Sequence, residues 1–235
     1  YAVSSKQKFL ARLIRIEEVA EGTFDILCEV GEYARFKPGQ YAECTLPHSH
    51  TDSRGSRRYF TIASAPHSTH IRFGIRYDRE HASSFKHALM SRTEGDVLSI
   101  GGISGSFTLP PQKERKVLLI AGGIGVTPFR SMVEDLLRTK TKRDIVLLYA
   151  NKTPAGIAYR ELFEEARAWG IRTEYIVNEP HDGWTGGVGF ITNEYLNSVV
   201  PDLHERLVYV SGPHAMVEAI VKTLRDAQVE EKHIR

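Results

Sequence analysis

Between Phe9 and Leu109 the apolar positions come in short bursts of period two, separated by turn-forming residues. Stretches 9–16, 23–30, 39–46, 58–64 and 71–77 are rich in β-formers. They predict strands, because successive side chains of an extended chain face opposite sides. One helix interrupts them: Ser83 or Ser84 can cap a turn of helix through Phe85, Ala88, Leu89 and Met90, before a further strand over 96–100. Several short strands with one helix predict a small antiparallel barrel or sandwich.

The pattern changes at Pro110-Pro111-Gln112-Lys113-Glu114-Arg115, since paired prolines and a charge run cannot continue a buried strand. Beyond it, compact apolar stretches at 116–121, 145–150, 173–177 and 207–211 predict strands. Helical spacing links Phe129, Val133, Leu136 and Leu137, then Leu162, Ala166 and Trp169, then Met216, Ile220, Val221 and Leu224. The expected fold is therefore α+β in two domains. Residues 1–111 form an antiparallel β-barrel, and residues 112–235 form an α/β domain around a parallel sheet.

Composition narrows the function classes. The 235 residues are 41% hydrophobic and 26% charged, which excludes a wholly disordered chain. The longest nearly unbroken apolar run, 117–126, is well short of the roughly 20 residues a membrane-crossing helix needs. With 31 Lys+Arg against 29 Asp+Glu and no basic stripe, nucleic acid is excluded as the main partner. Cys28 and Cys44 are too few for a disulfide framework, a four-thiolate zinc site or an iron–sulfur cluster, and two lone thiols suit a reducing compartment. His48 and His50 lack a third ligand, so no metal is expected. No basic-then-apolar leader follows Tyr1.

Four segments carry candidate chemistry. Gly122-Gly123-Ile124-Gly125-Val126-Thr127-Pro128 follows an apolar strand, with glycines that let backbone approach a ligand, Thr127 as a helix cap and Pro128 in the first turn. Such a turn aims amides at an anion, although it lacks the usual G-x-G-x-x-G spacing and also suits a purely structural turn. In Arg58-Tyr59-Phe60-Thr61 an arginine for phosphate, an aromatic for stacking and a hydroxyl for a ring nitrogen would suit a flavin nucleotide. Ser83-Ser84-Phe85-Lys86 offers a helix start, and Ser211-Gly212-Pro213 a turn after the last apolar strand. Each alone is ordinary; their order along the chain is the stronger signal.

That order, over nearly the whole chain, resembles the ferredoxin-NADP reductase superfamily. Phe36-Lys37-Pro38-Gly39-Gln40 is similar to the loop before one of its barrel strands, Arg58 to Thr61 to its R-x-Y-[ST] motif, Gly122 to Pro128 to its G-G-x-G-x-T-P turn, and Ser211-Gly212-Pro213 to its C-G-P motif. The resemblance implies that Arg58 holds the FAD pyrophosphate, Phe60 packs on the isoalloxazine and Thr61 lies near flavin N5. It implies that Ser83, Ser84 and Phe85 give amides to the pyrophosphate, and that Ile75 and Arg76 approach the flavin nucleotide. Gly122, Gly123, Gly125 and Thr127 would receive the nicotinamide nucleotide, and Ser211, Gly212 and Pro213 would border its ring. Thr61 and Ser211 are thus the expected catalytic residues. Phe60 replaces the usual tyrosine, Ser211 the usual cysteine, and no C-terminal aromatic follows Arg235.

The expected activity is FAD-dependent NAD(P)H oxidoreduction, with electrons passed to a separate acceptor, a redox protein or membrane redox complex. A flavin- or nucleotide-binding sensor without turnover is the alternative. Glu179 would repel a 2′-phosphate and accept bonds from a 2′-hydroxyl, which favours NADH, while Lys152 and Arg160 leave NADPH open. The expected location is the cytoplasm or the cytoplasmic face of a membrane.

Overall fold

The computed structural model describes residues 8–30, 34–66 and 68–235. Period-two alternation builds the first sheet. Strands β1 (Phe9–Ala20), β2 (Thr23–Val30), β3 (Tyr41–Thr45), β4 (Arg57–Thr61), β5 (His70–Arg76) and β6 (Val97–Ser104) pair antiparallel in the order β4-β3-β6-β1-β2-β5. The two ends of this sheet meet through the bridge between Ile62 and Phe73 and the 2.8 Å bond from the Ala63 amide to the Arg72 carbonyl, which closes a barrel. Inward residues such as Leu13, Ile26, Ala42 and Phe73 make its core, joined by Phe85 and Leu89 of helix α1 (Ser84–Met90). Cys28 and Cys44 lie in this core as free thiols; burial pushes Cys28 up to about 12 and Cys44 further.

The second sheet is parallel throughout. It comprises β7 (Val117–Gly122), β8 (Ile145–Asn151), β9 (Ile171–Val177), β10 (Gly187–Val188) and β11 (Leu207–Ser211), in the order β10-β9-β8-β7-β11. All six residues of β7 are buried because both faces are covered. Val117, Leu119 and Ala121 face α2 (Thr127–Arg138) and α3 (Arg160–Glu165), while Leu118 and Ile120 face α4 (Asn193–Val199) and α5 (His214–Asp226). The chain winds outward from β7 to β10 and then returns to β11 on the other side of β7. Open α/β sheets bind ligands beyond the carboxyl ends of the strands at such a reversal, which here lies between β7 and β11.

Several elements exceed the expectation. β1 continues to Ala20 and β6 to Ser104, and α4 and the two-residue β10 are additional. Between the sheets, Phe107 packs on Phe129 and Tyr209 with centroids 5.8 and 5.1 Å apart, and the Tyr209 hydroxyl donates to the Thr108 carbonyl at 2.7 Å. Gly39, with φ +96°, has no room for a side chain: a Cβ there would lie 2.0 Å from the Phe107 carbonyl oxygen. Among the described residues, no helix is long and apolar enough to cross a membrane.

Candidate functional site

Alternation along β4 turns Arg58 and Phe60 to the barrel's inner side and leaves Tyr59 exposed. The Arg58 guanidinium lies 5.4 Å from the Phe85 ring centroid, and Phe60 packs on Phe85 and Phe73 with centroids 5.8 and 6.1 Å apart. Phe60 is thus partly committed to the core edge. Phe85 and Ile75 are buried in the barrel, so their backbone, rather than their side chains, is what a ligand could meet. Arg76 is exposed at the end of β5, and Thr61 is half-buried at the end of β4.

Ser83, rather than Ser84, is the N-cap of α1: its hydroxyl accepts from the Lys86 amide at 3.3 Å. Ser84 serves the loop between β3 and β4 instead. Its hydroxyl accepts from the Asp52 amide at 2.9 Å, and its amide donates to the Asp52 carboxylate at 3.2 Å. Both Asp52 oxygens also take bonds of 2.9 Å from Arg58 Nη2, while Arg58 Nη1 reaches the carbonyls of Arg54, Gly55 and Arg57. Desolvation pushes the Asp52 carboxyl up, but the Arg54 amide, Arg58 and Ser84 outweigh it and hold it at about 2. Arg58 Nε is buried with no partner in its surroundings. Burial, then the nearby Arg54, Arg58 and Arg76, lower the Lys86 ammonium, whose Nζ donates to the Arg76 carbonyl. Four cations around one small helix start, with one orphaned guanidinium N–H, form a donor set that fits a polyphosphate. The sequence marks Lys86 only as part of a helix start, and nothing in it points to Asp52 or Arg54 as members of this group.

Across the molecule, the glycine turn is shaped by close approach. Gly122 ends β7, residues Gly123–Val126 form a 3₁₀ turn, and α2 starts at Thr127. A Cβ on Gly122 would lie 2.1 Å from Met216 Sδ, and one on Gly125 would lie 2.4 Å from the Ser211 carbonyl oxygen and 2.6 Å from Gly212. Gly123 has φ +50° with open space around its missing side chain. Thr127 is not the expected cap: Val126 holds that position, and the Thr127 hydroxyl donates to the Ile124 carbonyl at 3.1 Å. Ser211 pairs with Ala121 at the end of β11, and Gly212 and Pro213 lead directly into α5. The six residues Gly122, Gly123, Gly125, Ser211, Gly212 and Pro213 thus come together at the carboxyl ends of β7 and β11.

Glu179 lies apart, beyond the end of β9. Its amide donates to the Lys152 carbonyl at 2.8 Å, and its carboxylate lies 3.5 Å from Lys152 Nζ on the surface. Arg160 instead stacks on Tyr175, 4.8 Å from the ring centroid. His48 bonds the Leu46 carbonyl at 2.8 Å and the Ser84 hydroxyl at 3.1 Å, and His214 faces Glu218.

The two groups are joined at one seam. A Cβ on Gly74 of β5 would lie 2.6 Å from Thr127 Cγ2, so β5 touches the start of α2 one residue before Ile75. Helix α2 is fastened to the segment after Thr61. Ser131 donates to the Ser64 carbonyl at 2.6 Å, and the Ala65 amide donates to Glu134 at 2.5 Å.

Residues 119–222 match the family model described as an oxidoreductase NAD-binding domain. The chain is 34% identical over 139 residues to an NADH-cytochrome b5 reductase 1 from Laccaria bicolor, covering 56% of this chain and 45% of that protein. It is 28% identical over 218 residues to a flavohemoprotein from Halalkalibacterium halodurans, covering 86% and 51%. The chain therefore spans about half the length of these curated relatives. Its fold is similar to that of a cytochrome P450 reductase from Amycolatopsis, with a TM-score of 0.83 at 22% identity over 97% of this chain and 68% of that one. It is equally similar, at TM-score 0.83 and 16% identity over 96% of each chain, to an FAD/NAD-binding domain of a nitric oxide dioxygenase from Vibrio cholerae. Residues 119–222 thus match an oxidoreductase NAD-binding domain, and the antiparallel barrel joined to a parallel sheet gives the chain the two-domain fold of ferredoxin reductase-like proteins.

Proposed function

We propose that the chain is a flavin-dependent oxidoreductase, with residues 1–111 holding FAD and residues 112–235 holding NADH. When bound, the pair supplies hydride transfer from nicotinamide to flavin and onward release of electrons to a separate acceptor. The observation that carries this reading is the contact of β5 with the glycine turn at Gly74, which sets a cationic phosphate cradle and that turn on one seam.

In this reading Arg58, with Lys86 and Arg76, neutralises the FAD pyrophosphate, and the amides of Ser83, Ser84 and Phe85 add donors. Thr61 offers its hydroxyl at the ring edge, Phe60 borders the ring, and the backbone of Ile75 passes beside it. Gly122, Gly123, Gly125 and Thr127 let the nicotinamide nucleotide lie against bare backbone, and Ser211, Gly212 and Pro213 border the nicotinamide. Glu179 accepts from the ribose 2′-hydroxyl, and its charge disfavours a 2′-phosphate; Lys152, paired to it, softens that preference. The site needs alignment and exclusion of water more than a general acid or base. The electron acceptor is a separate redox protein or membrane redox complex, and the place of action is the cytoplasm or the cytoplasmic face of a membrane. Relatives named as NADH-cytochrome b5 reductase and as dioxygenase reductase components support this class of role.

The test is anaerobic mixing of the flavin-loaded protein with NADH or NADPH. Rapid loss of the oxidised flavin absorption, faster with NADH, is expected. Flavin that stays oxidised with both nucleotides would overturn the proposal.

A further inference from the structure

The seam between the halves contains a polar contact that neither cradle nor glycine turn uses. Tyr159, just before α3, has φ +59°, a left-handed conformation that a bulky residue keeps only where its surroundings hold it. Its ring lies 5.0 Å from the Arg130 guanidinium of α2, and its hydroxyl donates to the Asp25 carboxylate of β2. Asp25 is only 1% exposed, and its other oxygen accepts from Arg72 of β5. One buried carboxylate therefore divides its two oxygens between the barrel wall and the opposite half.

Gly74 adds the second half of the case. A Cβ there would lie 2.6 Å from both Tyr159 Oη and Thr127 Cγ2, and 3.2 Å from Ile124 Cδ1. At this one point β5 meets the tyrosine and the glycine turn together. The same Arg130 that covers the Tyr159 ring donates to the Ala63 carbonyl at 2.5 Å, two residues beyond Thr61. The tyrosine thus touches the barrel at Asp25 and Gly74, and through Arg130 it bears on the segment leaving Thr61.

We infer that Tyr159 is a positioning residue: held by Asp25 and seated on Gly74, it sets the spacing between the Thr61 edge of the barrel and the Gly122–Thr127 turn. The inference rests on the proposed hydride transfer, whose rate depends steeply on the distance and angle between reacting groups. Burial, reinforced by the Asp25 charge and hydrogen bond, raises the Tyr159 phenol above its ordinary range. The hydroxyl therefore remains a donor throughout the neutral range.

The experiment compares flavin-loaded wild type with Tyr159→Phe and Gly74→Ala in anaerobic stopped flow, using NADH and NADH deuterated at C4. For Tyr159→Phe the flavin content and the NADH half-saturation are expected to stay within two-fold of wild type. The limiting rate of flavin reduction is expected to fall about 10-fold, with a changed deuterium isotope effect and a weaker long-wavelength charge-transfer band. Gly74→Ala, which presses on the same tyrosine from the barrel, is expected to lower the same rate. A Tyr159→Phe protein with wild-type rate and band overturns the inference while leaving the proposed function standing. A variant that unfolds or sheds its flavin also overturns it, because the tyrosine then supports the fold rather than the spacing. Wild type that retains flavin yet is bleached by neither nucleotide defeats both.

Discussion

The barrel and the parallel sheet prepare for their ligands by opposite means. Around Arg58 the barrel gathers charge: four cations and a helix start, with one carboxylate, Asp52, bonded to both Arg58 and the Ser84 amide. Around Gly125 the sheet instead sets bare backbone against bare backbone, because its turn and Ser211 and Gly212 approach so closely that no side chain fits between them. A charged cradle can be tuned by single substitutions and by competing charges, whereas backbone packed on backbone tolerates little.

The contrast is easiest to break at its two anchors. Arg58→Ala is expected to weaken FAD retention about 100-fold, since hydrogen bonds to charged groups contribute roughly 1.5–3 kcal/mol each. Unchanged flavin occupancy after gel filtration would remove Arg58 from the cradle. Gly125→Ala places a methyl group against the backbone of β11 and is expected to cost ~1–3 kcal/mol of stability, with a parallel loss of NADH response. Gly123→Ala, where space is open but φ is +50°, should cost ~1 kcal/mol. Melting curves that rank the two substitutions in reverse would refute crowding as the reason for Gly125.

Asp52→Asn sharpens the charge side. Asp52 shares Arg58 and the Ser84 amide with any phosphate that binds there, so its neutralisation is expected to tighten FAD several-fold, measured by quenching of flavin fluorescence. Looser binding would instead make Asp52 a support for Arg58. Its low pKa gives a further check. The stabilisation from this carboxylate is complete above the ordinary aspartate range near ~4 and is lost as pH falls through about 2. The difference in melting temperature between wild type and Asp52→Asn should therefore be flat from pH 5 to 8 and should shrink only below about pH 4. The smallest effect is expected at the exposed Glu179: Glu179→Arg should move the NADPH-to-NADH ratio of kcat/KM by a few-fold to ten-fold. A constant ratio would separate Glu179 from nucleotide choice.

The same contrast explains what could be read from the chain. Alternation in β2 and β5 and the apolar run of β7 were visible because burial on one face or on both leaves a periodic trace. The glycine turn was visible because close backbone approach has a residue type of its own. The far end of β1 was not: beyond Ile16 it carries Glu17 and Glu18 and pairs with Asp25 and Phe24 in a hairpin, with little apolar patterning. β6 was cut short at Gly101 and Gly102, which look like a turn but are paired or bulged strand. α4 escaped because only Leu196 is buried along it. Asp52 and Tyr159 left no trace, since their partners Ser84 and Asp25 lie 32 and 134 residues away and nothing local calls for a carboxylate or a phenol. Threonine before proline predicts a cap at Thr127, yet the 3₁₀ turn runs straight into α2, so Val126 holds the cap position and the Thr127 hydroxyl turns back to the Ile124 carbonyl.

The sealed thiols of the barrel offer a practical opening. Cys28 and Cys44 combine near-complete burial with strongly weakened acidity, so neither presents a thiolate to maleimide or iodoacetamide in the native protein. A reporter dye can therefore be attached at a cysteine introduced on either half without first deleting the natural ones. Energy transfer between two such dyes would report, molecule by molecule, whether the halves rock against each other during turnover.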